Sequence, residues 1–268
     1  MQTTSSPTST RRLRTRKTWP AVVWLAVSGA LVFLAFLGAS QSTGSQDEDI
    51  LFDPALAIGG VVFYGILIGV SFAIASAYPS GRRYDALGFR RFRLRWVWIS
   101  FAVVVATTIV AVAVEPILHG GEDQGLGADS WQPEHAAAFA ANVAVLVLLG
   151  PFAEELFFRG LGVRVLAPYG GLLAILTTGV IFGLVHGLLG ALPPLVLFGI
   201  GLAWVRLRSA SVWPPFIGHA AYNGLGILVL AISWAVETLT DFEPPVRFLR
   251  ATFGGWDTRP RIRFGTLA

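Results

Sequence analysis

The chain has 268 residues, of which 54% are hydrophobic and only 13% charged, with a net charge of +4 and no cysteine. An ordinary soluble domain carries about 25% charged residues, so this composition excludes a conventional water-soluble globule. The missing cysteine also excludes disulfides and thiolate metal sites. The positive charge does not read as a nucleic-acid surface: apart from Lys17 it is all arginine, clustered between apolar runs as in membrane topology signals.

Residues 1–18 form a basic tail with Arg11, Arg12, Arg14, Arg16 and Lys17. The first apolar run, about 19–39, is long for a secretory signal and reads as an uncleaved anchor helix. An acidic stretch at 40–53 leads to a second run at about 54–78. Loop 79–95 then carries Arg82, Arg83, Arg90, Arg91, Arg93 and Arg95. A third run, about 96–114, opens on Trp96 and Trp98 and gives way to an acidic, Gly-rich stretch at 115–135 holding His119 and His135. Basic and acidic loops alternate. The positive-inside rule therefore puts the N-terminus and loop 79–95 in the cytoplasm, and 40–53 and 115–135 outside.

Further apolar runs cover about 136–167, 171–192, 194–205 and 212–236. They are interrupted by Pro168–Gly171, Pro193–Pro194 and Arg206–Arg208. The run after Pro194 is short for a crossing. It is expected to be tilted or re-entrant, or to merge with 171–192 around a proline kink. The expected fold is all-α: a polytopic transmembrane bundle of about seven helices (six to eight). The division is a basic tail 1–18, N-terminal helices and loops 19–135, a core 136–236 and a polar tail 237–268 with five arginines. Seven crossings from an inside N-terminus would put that basic tail outside, against the charge rule.

Ionisable groups inside apolar helices cost about 2.5–3.5 kcal/mol each on insertion scales, so each one suggests a site. Here they concentrate in three segments. Glu154, Glu155 and Arg159 lie in PFAEELFFRG, His186 lies in TTGVIFGLVHGLLG, and His219 and Asn223 lie in PPFIGHAAYNGLG. Glu155 and Arg159 have the i, i+4 order that favours a helical ion pair, leaving Glu154 about 100° round the helix. Phe182 and His186 share a face, as do His219 and Asn223. If the segment after Glu154 stays helical to about 167, Glu154 and His186 are each sixteen residues from the turn at Gly170, and an antiparallel hairpin brings them level.

Each segment alone has an ordinary reading. The acid–arginine group could mark a helix end with Arg159 snorkelling to water, and the histidines and Asn223 could be packing or interhelical glue. Together they permit peptide hydrolysis. A carboxylate with a histidine can activate water, and a histidine with an asparagine can hold an oxyanion. Glu154 is the better base, because Glu155 is held by Arg159. Catalytic zinc on Glu154, His186 and His219 is the alternative. Neither an H-E-x-x-H helix nor a G-x-S-x-G elbow occurs.

The order Glu154-Glu155-x-x-x-Arg159, Phe182-x-x-x-His186, His219-x-x-x-Asn223 resembles the three-motif pattern of the CPBP family. That family comprises the CAAX-prenyl endopeptidases of Ras-converting-enzyme type and the bacterial Abi and bacteriocin-processing proteins. The resemblance covers about 136–236. It implies a helical fold enclosing an intramembrane cavity, and an endopeptidase acting on a membrane-associated peptide or protein within the bilayer. Glu154 and His186 would activate water, His219 and Asn223 would form the oxyanion hole, and Glu155, Arg159 and Phe182 would support them. The family has been described as both glutamate protease and metalloprotease, so the cofactor is either none or a divalent metal such as zinc. The Arg-for-Lys, Ala/Val/Gly-rich composition suggests a multi-pass protein of a bacterial plasma membrane, with a substrate other than a prenylated CAAX protein. The competing classes are a non-catalytic scaffold or immunity protein of the same fold, and a small transporter. The full motif set and the lack of repeats weigh against both.

Overall fold

A computed structural model describes residues 18–41, 49–119 and 131–240, with side chains described to 236. The basic N-terminal tail, the C-terminal tail and parts of both acidic loops lie outside the described residues. All elements among the described residues are helical. They are α1 (Trp19–Gln41), α2 (Pro54–Ala75), α3 (Arg83–Leu87), α4 (Arg95–Leu118), α5 (Pro133–Tyr169), α6 (Gly171–Leu184), α7 (Leu192–Ser209) and α8 (Trp213–Thr240). Six of these, α1, α2, α4, α5, α7 and α8, are long and apolar enough to cross a membrane. Their outer faces are those of a protein solvated by lipid: Phe33, Ile58, Ile66, Trp98 and Ile109 are each more than 60% exposed. The expected all-α polytopic bundle is therefore borne out.

Local sequence sets the helix ends. Asp53 caps α2 by accepting the Ala55 N–H at 2.8 Å, with Pro54 in the first position, where its missing N–H costs nothing. Pro193 and Pro194 likewise sit in the first turn of α7. The run 171–192 is not one helix, nor does it merge with the next run around a kink. The helix α6 stops at Leu184, and 185–191 form a turn. At 14 residues, α6 spans only about 21 Å, short of the roughly 30 Å hydrocarbon core. It lies antiparallel on α7: Gly171 faces Leu207, Gly179 faces Gly199 and Ile200, and Gly183 faces Val196. The crossing is backbone on backbone, since a Cβ on Gly199 would lie 2.6 Å from the Gly179 carbonyl oxygen.

Two clusters fix the ends of the bundle. At the arginine-rich end, Phe89 packs on Phe72, Phe152 and Trp213. There the α7–α8 turn is tied down by Val212 N–H to the Gly88 carbonyl (2.9 Å) and Ser211 Oγ to the Arg90 carbonyl (2.8 Å). At the opposite end Phe52, Trp131, Phe139 and Trp234 stack together. Asn142 Nδ2 donates there to the Leu51 and Asp53 carbonyls at 2.8 and 2.9 Å. The helix α8 runs between the two ends, while α6 and α7 leave the arginine-rich end and return to it.

Candidate active site

The first motif rides on α5, which is not a regular helix. It widens to π geometry over Val145–Leu149 and again over Glu155–Gly162, marked by the i, i+5 bonds Gly150 N–H to Val145 O and Val163 N–H to Phe158 O. Such widened turns recur at functional sites. The helix does continue past Gly160 and Gly162, to Leu166, as the hairpin reading requires.

Glu155 and Arg159 form the expected pair, with Arg159 Nη1 2.8 Å from Glu155 Oε1 and both side chains fully buried. Arg159 therefore does not snorkel. Its Nη2 donates to the Gly199 carbonyl at 3.4 Å, and its guanidinium lies 4.1 Å above the centre of the Phe182 ring, a cation–π contact. Phe182 is the hub of the site. Its ring also meets His186 (4.9 Å), His219 (5.7 Å), Phe158 (5.4 Å) and Phe198 (6.0 Å).

The histidines are oriented by their partners. His219 Nδ1 lies 2.9 Å from Glu155 Oε1. A carboxylate only accepts, so that nitrogen carries the proton, and Nε2 is turned toward Glu154 Oε2 at 3.9 Å. His186 sits just past the end of α6, with Nδ1 2.7 Å from the Phe182 carbonyl. By the same reasoning Nδ1 donates, which leaves Nε2 as the acceptor of a neutral ring. Glu154, His219 and Arg159 all lie within electrostatic range of His186.

The two glutamates differ sharply. Glu155 is sealed between Arg159 and His219. The Glu154 side chain is 18% exposed, and its Oε1 accepts from the Tyr64 hydroxyl at 3.3 Å. Asn223 is held differently from the rest. Its Nδ2 donates to the Leu146 carbonyl at 2.8 Å. That oxygen has a reason to need a partner: in the π register its mate would be residue 151, and Pro151 has no N–H. The other Nδ2 hydrogen remains for a ligand.

Glu155, Arg159 and His219 thus meet directly, Glu154 faces His219, Phe182 packs on Arg159, His186 and His219, and Asn223 stands one turn along α8 from His219. Among the described residues no three His, Asp or Glu side chains gather so as to hold a metal ion.

Residues 136–225 match the Rce1-like family, the type II CAAX prenyl endopeptidases. The match covers all three motifs, bears out the resemblance drawn from their spacing, and supports a protease at the level of the family. Comparison with curated proteins and with solved structures returned no match. The Rce1-like segment supplies every residue that the sequence singled out. Tyr64 and Phe198 were missed. Tyr64 comes from α2, outside the matched segment, and the available signal was that Tyr64 and Ser71 are the only polar side chains in that span. Phe198, which packs 5.1 Å from His219, looks in sequence like any apolar helix residue.

Proposed function

We propose that the protein is an intramembrane endopeptidase that hydrolyses a membrane-associated peptide with water activated by Glu154 and His186. The observation that carries this reading is the contrast between the two glutamates. Glu155 is buried and neutralised by Arg159, whereas Glu154 is reachable and faces His219. One water can donate its two hydrogens to Glu154 and to His186 Nε2, which directs an oxygen lone pair at a peptide carbonyl carbon. As the C–O bond forms, Glu154 takes the water proton. The carbonyl oxygen becomes an oxyanion, received by the second Nδ2–H of Asn223 and by the Nε2–H of His219 in its doubly protonated form, whose Nδ1–H stays on Glu155. When the tetrahedral intermediate collapses, the C–N bond breaks and Glu154 returns the proton to the leaving amine. No step needs a metal. The arginine-rich end supports a cytoplasmic placement of loop 79–95, with the multi-pass chain in a bacterial plasma membrane.

The test uses purified protein and internally quenched apolar peptides that carry a cysteine, farnesylated in one set and unmodified in the other. Wild type is expected to cleave at least one set in the presence of a chelator. Glu154→Gln keeps the volume and removes the base, so turnover should fall about 10²–10⁴-fold with binding and melting temperature retained. Cleavage lost on chelation and restored by zinc would overturn the metal-free mechanism. Full activity in Glu154→Gln would overturn the role of Glu154. A chain that binds these peptides and cuts none would be the scaffold.

A further inference from the structure

Tyr64 lies on α2, in a segment that belongs to none of the three motifs, yet its hydroxyl reaches Glu154 Oε1 at 3.3 Å. A carboxylate only accepts, so the phenol donates. This leaves Oε2, the oxygen that faces His219 Nε2, without a hydrogen bond inside the protein. The two oxygens of Glu154 are therefore distinguished, one held from α2 and one turned toward His219.

The approach that allows this contact is built into both helices. A Cβ on Gly150 would fall 2.9 Å from Tyr64 Cζ and 3.0 Å from its hydroxyl, so only glycine lets the ring lie flat on α5. Four residues earlier on α2, a Cβ on Gly60 would meet Val145 Cγ1 at 2.5 Å. Gly60 and Tyr64 are one ordinary turn apart, but Val145 and Gly150 are separated by five residues. The π turn over Val145–Leu149, closed by Gly150 N–H to Val145 O, brings residues five apart into line. The widened turn thus matches the spacing of α5 to that of α2 at the point where Tyr64 meets the base.

From this geometry we infer that Tyr64 is a positioning residue for Glu154, fixing which carboxylate oxygen receives the water proton. The inference rests on the proposed role of Glu154 as general base. Tyr64→Phe removes the hydroxyl and keeps the ring. A hydrogen bond to a charged group corresponds to roughly a ten- to hundredfold effect, so kcat should fall by about that factor with KM unchanged. Melting temperature should stay near wild type. Gly150→Ala should also lower kcat, by pushing the ring aside, and should cause little further loss in a Tyr64→Ala background, where no ring remains to be displaced.

The assay is hydrolysis of the same quenched peptides by full-length protein in detergent. Glu154→Gln is run in parallel so that the two ideas fail separately. If Glu154→Gln is inactive while Tyr64→Phe keeps wild-type kcat, the positioning role is wrong and the general base stands. If Glu154→Gln is active, the general base itself is wrong. A Tyr64→Phe loss confined to KM, or one that follows a fall in melting temperature, would reduce Tyr64 to packing or substrate contact and overturn the inference. Additive losses for Gly150→Ala and Tyr64→Ala would do the same for the Gly150 contact.

Discussion

Replacing Arg159 by Met keeps most of the side-chain volume and removes the guanidinium paired with Glu155. The carboxylate is fully buried, so water cannot take the place of the guanidinium. Breaking one side of a buried ion pair typically costs about 3–5 kcal/mol. The lower end applies here. The 2.8 Å approach of Nη1 to Glu155 Oε1 is ionic rather than an aligned hydrogen bond, and His219 still donates to the same oxygen. Against that, the Gly199 carbonyl loses a donor and Phe182 loses its cation–π partner. At about 2–4 °C per kcal/mol for a chain of this size, the melting temperature should drop by roughly 6–12 °C. Intrinsic tryptophan fluorescence in detergent reports it, because Trp24 is fully buried and donates from Nε1 to the Phe157 carbonyl on the same π segment. The double variant Glu155→Gln/Arg159→Met, with neither charge, should recover part of the loss. An Arg159→Met protein that melts like wild type, or a double variant whose loss is the sum of the singles, would refute the idea that the pair is a structural brace.

Asn223→Ala should act on two levels. Loss of an oxyanion donor should lower kcat on the order of 10²–10³-fold, and the Leu146 carbonyl left without its donor should destabilise the protein by about 1–3 kcal/mol. Kinetics paired with a melt separates these, and a kcat loss with no change in melting would mean that the Leu146 bond is idle. Ser80→Cys should be protected from an impermeant thiol reagent in intact cells and labelled after lysis, since loop 79–95 carries six arginines. Labelling in intact cells would invert the orientation.

The site was legible in sequence because the bilayer makes charges conspicuous. Glu154, Glu155, Arg159, His186 and His219 stand out in apolar runs, and the i, i+4 order correctly assigned Arg159 to Glu155. The long spans were legible as apolar runs, but the count of seven crossings was not right: six helices are long enough, and the run 171–192 yields only the short α6. The shape of α5 was not. Nothing in VLVLLGPFAEELFFRG announces a change from α to π hydrogen bonding; Pro151 hints at an unpaired carbonyl but does not name Asn223 as its partner. Tyr64 was passed over because being one of two polar side chains in α2 does not name its partner, and a Gly60–Tyr64 spacing has no meaning until α5 lies beside it. The early end of α6 was also hidden, since the apolar run continues through Val185 and beyond while the backbone turns at Gly187, which has φ of 69°.

The two widened stretches of α5 make the number of residues in that helix matter as much as their identities. A residue deleted within 145–149 is absorbed when the widened turn closes as a regular one, but a regular helix turns about 100° per residue, so deleting a residue from 151–153 would swing Glu154 by about that angle relative to Gly150, which packs on Tyr64 of α2. Every side chain of the site would still be present in such a protein, in the same order. The carboxylate would simply face the wrong helix.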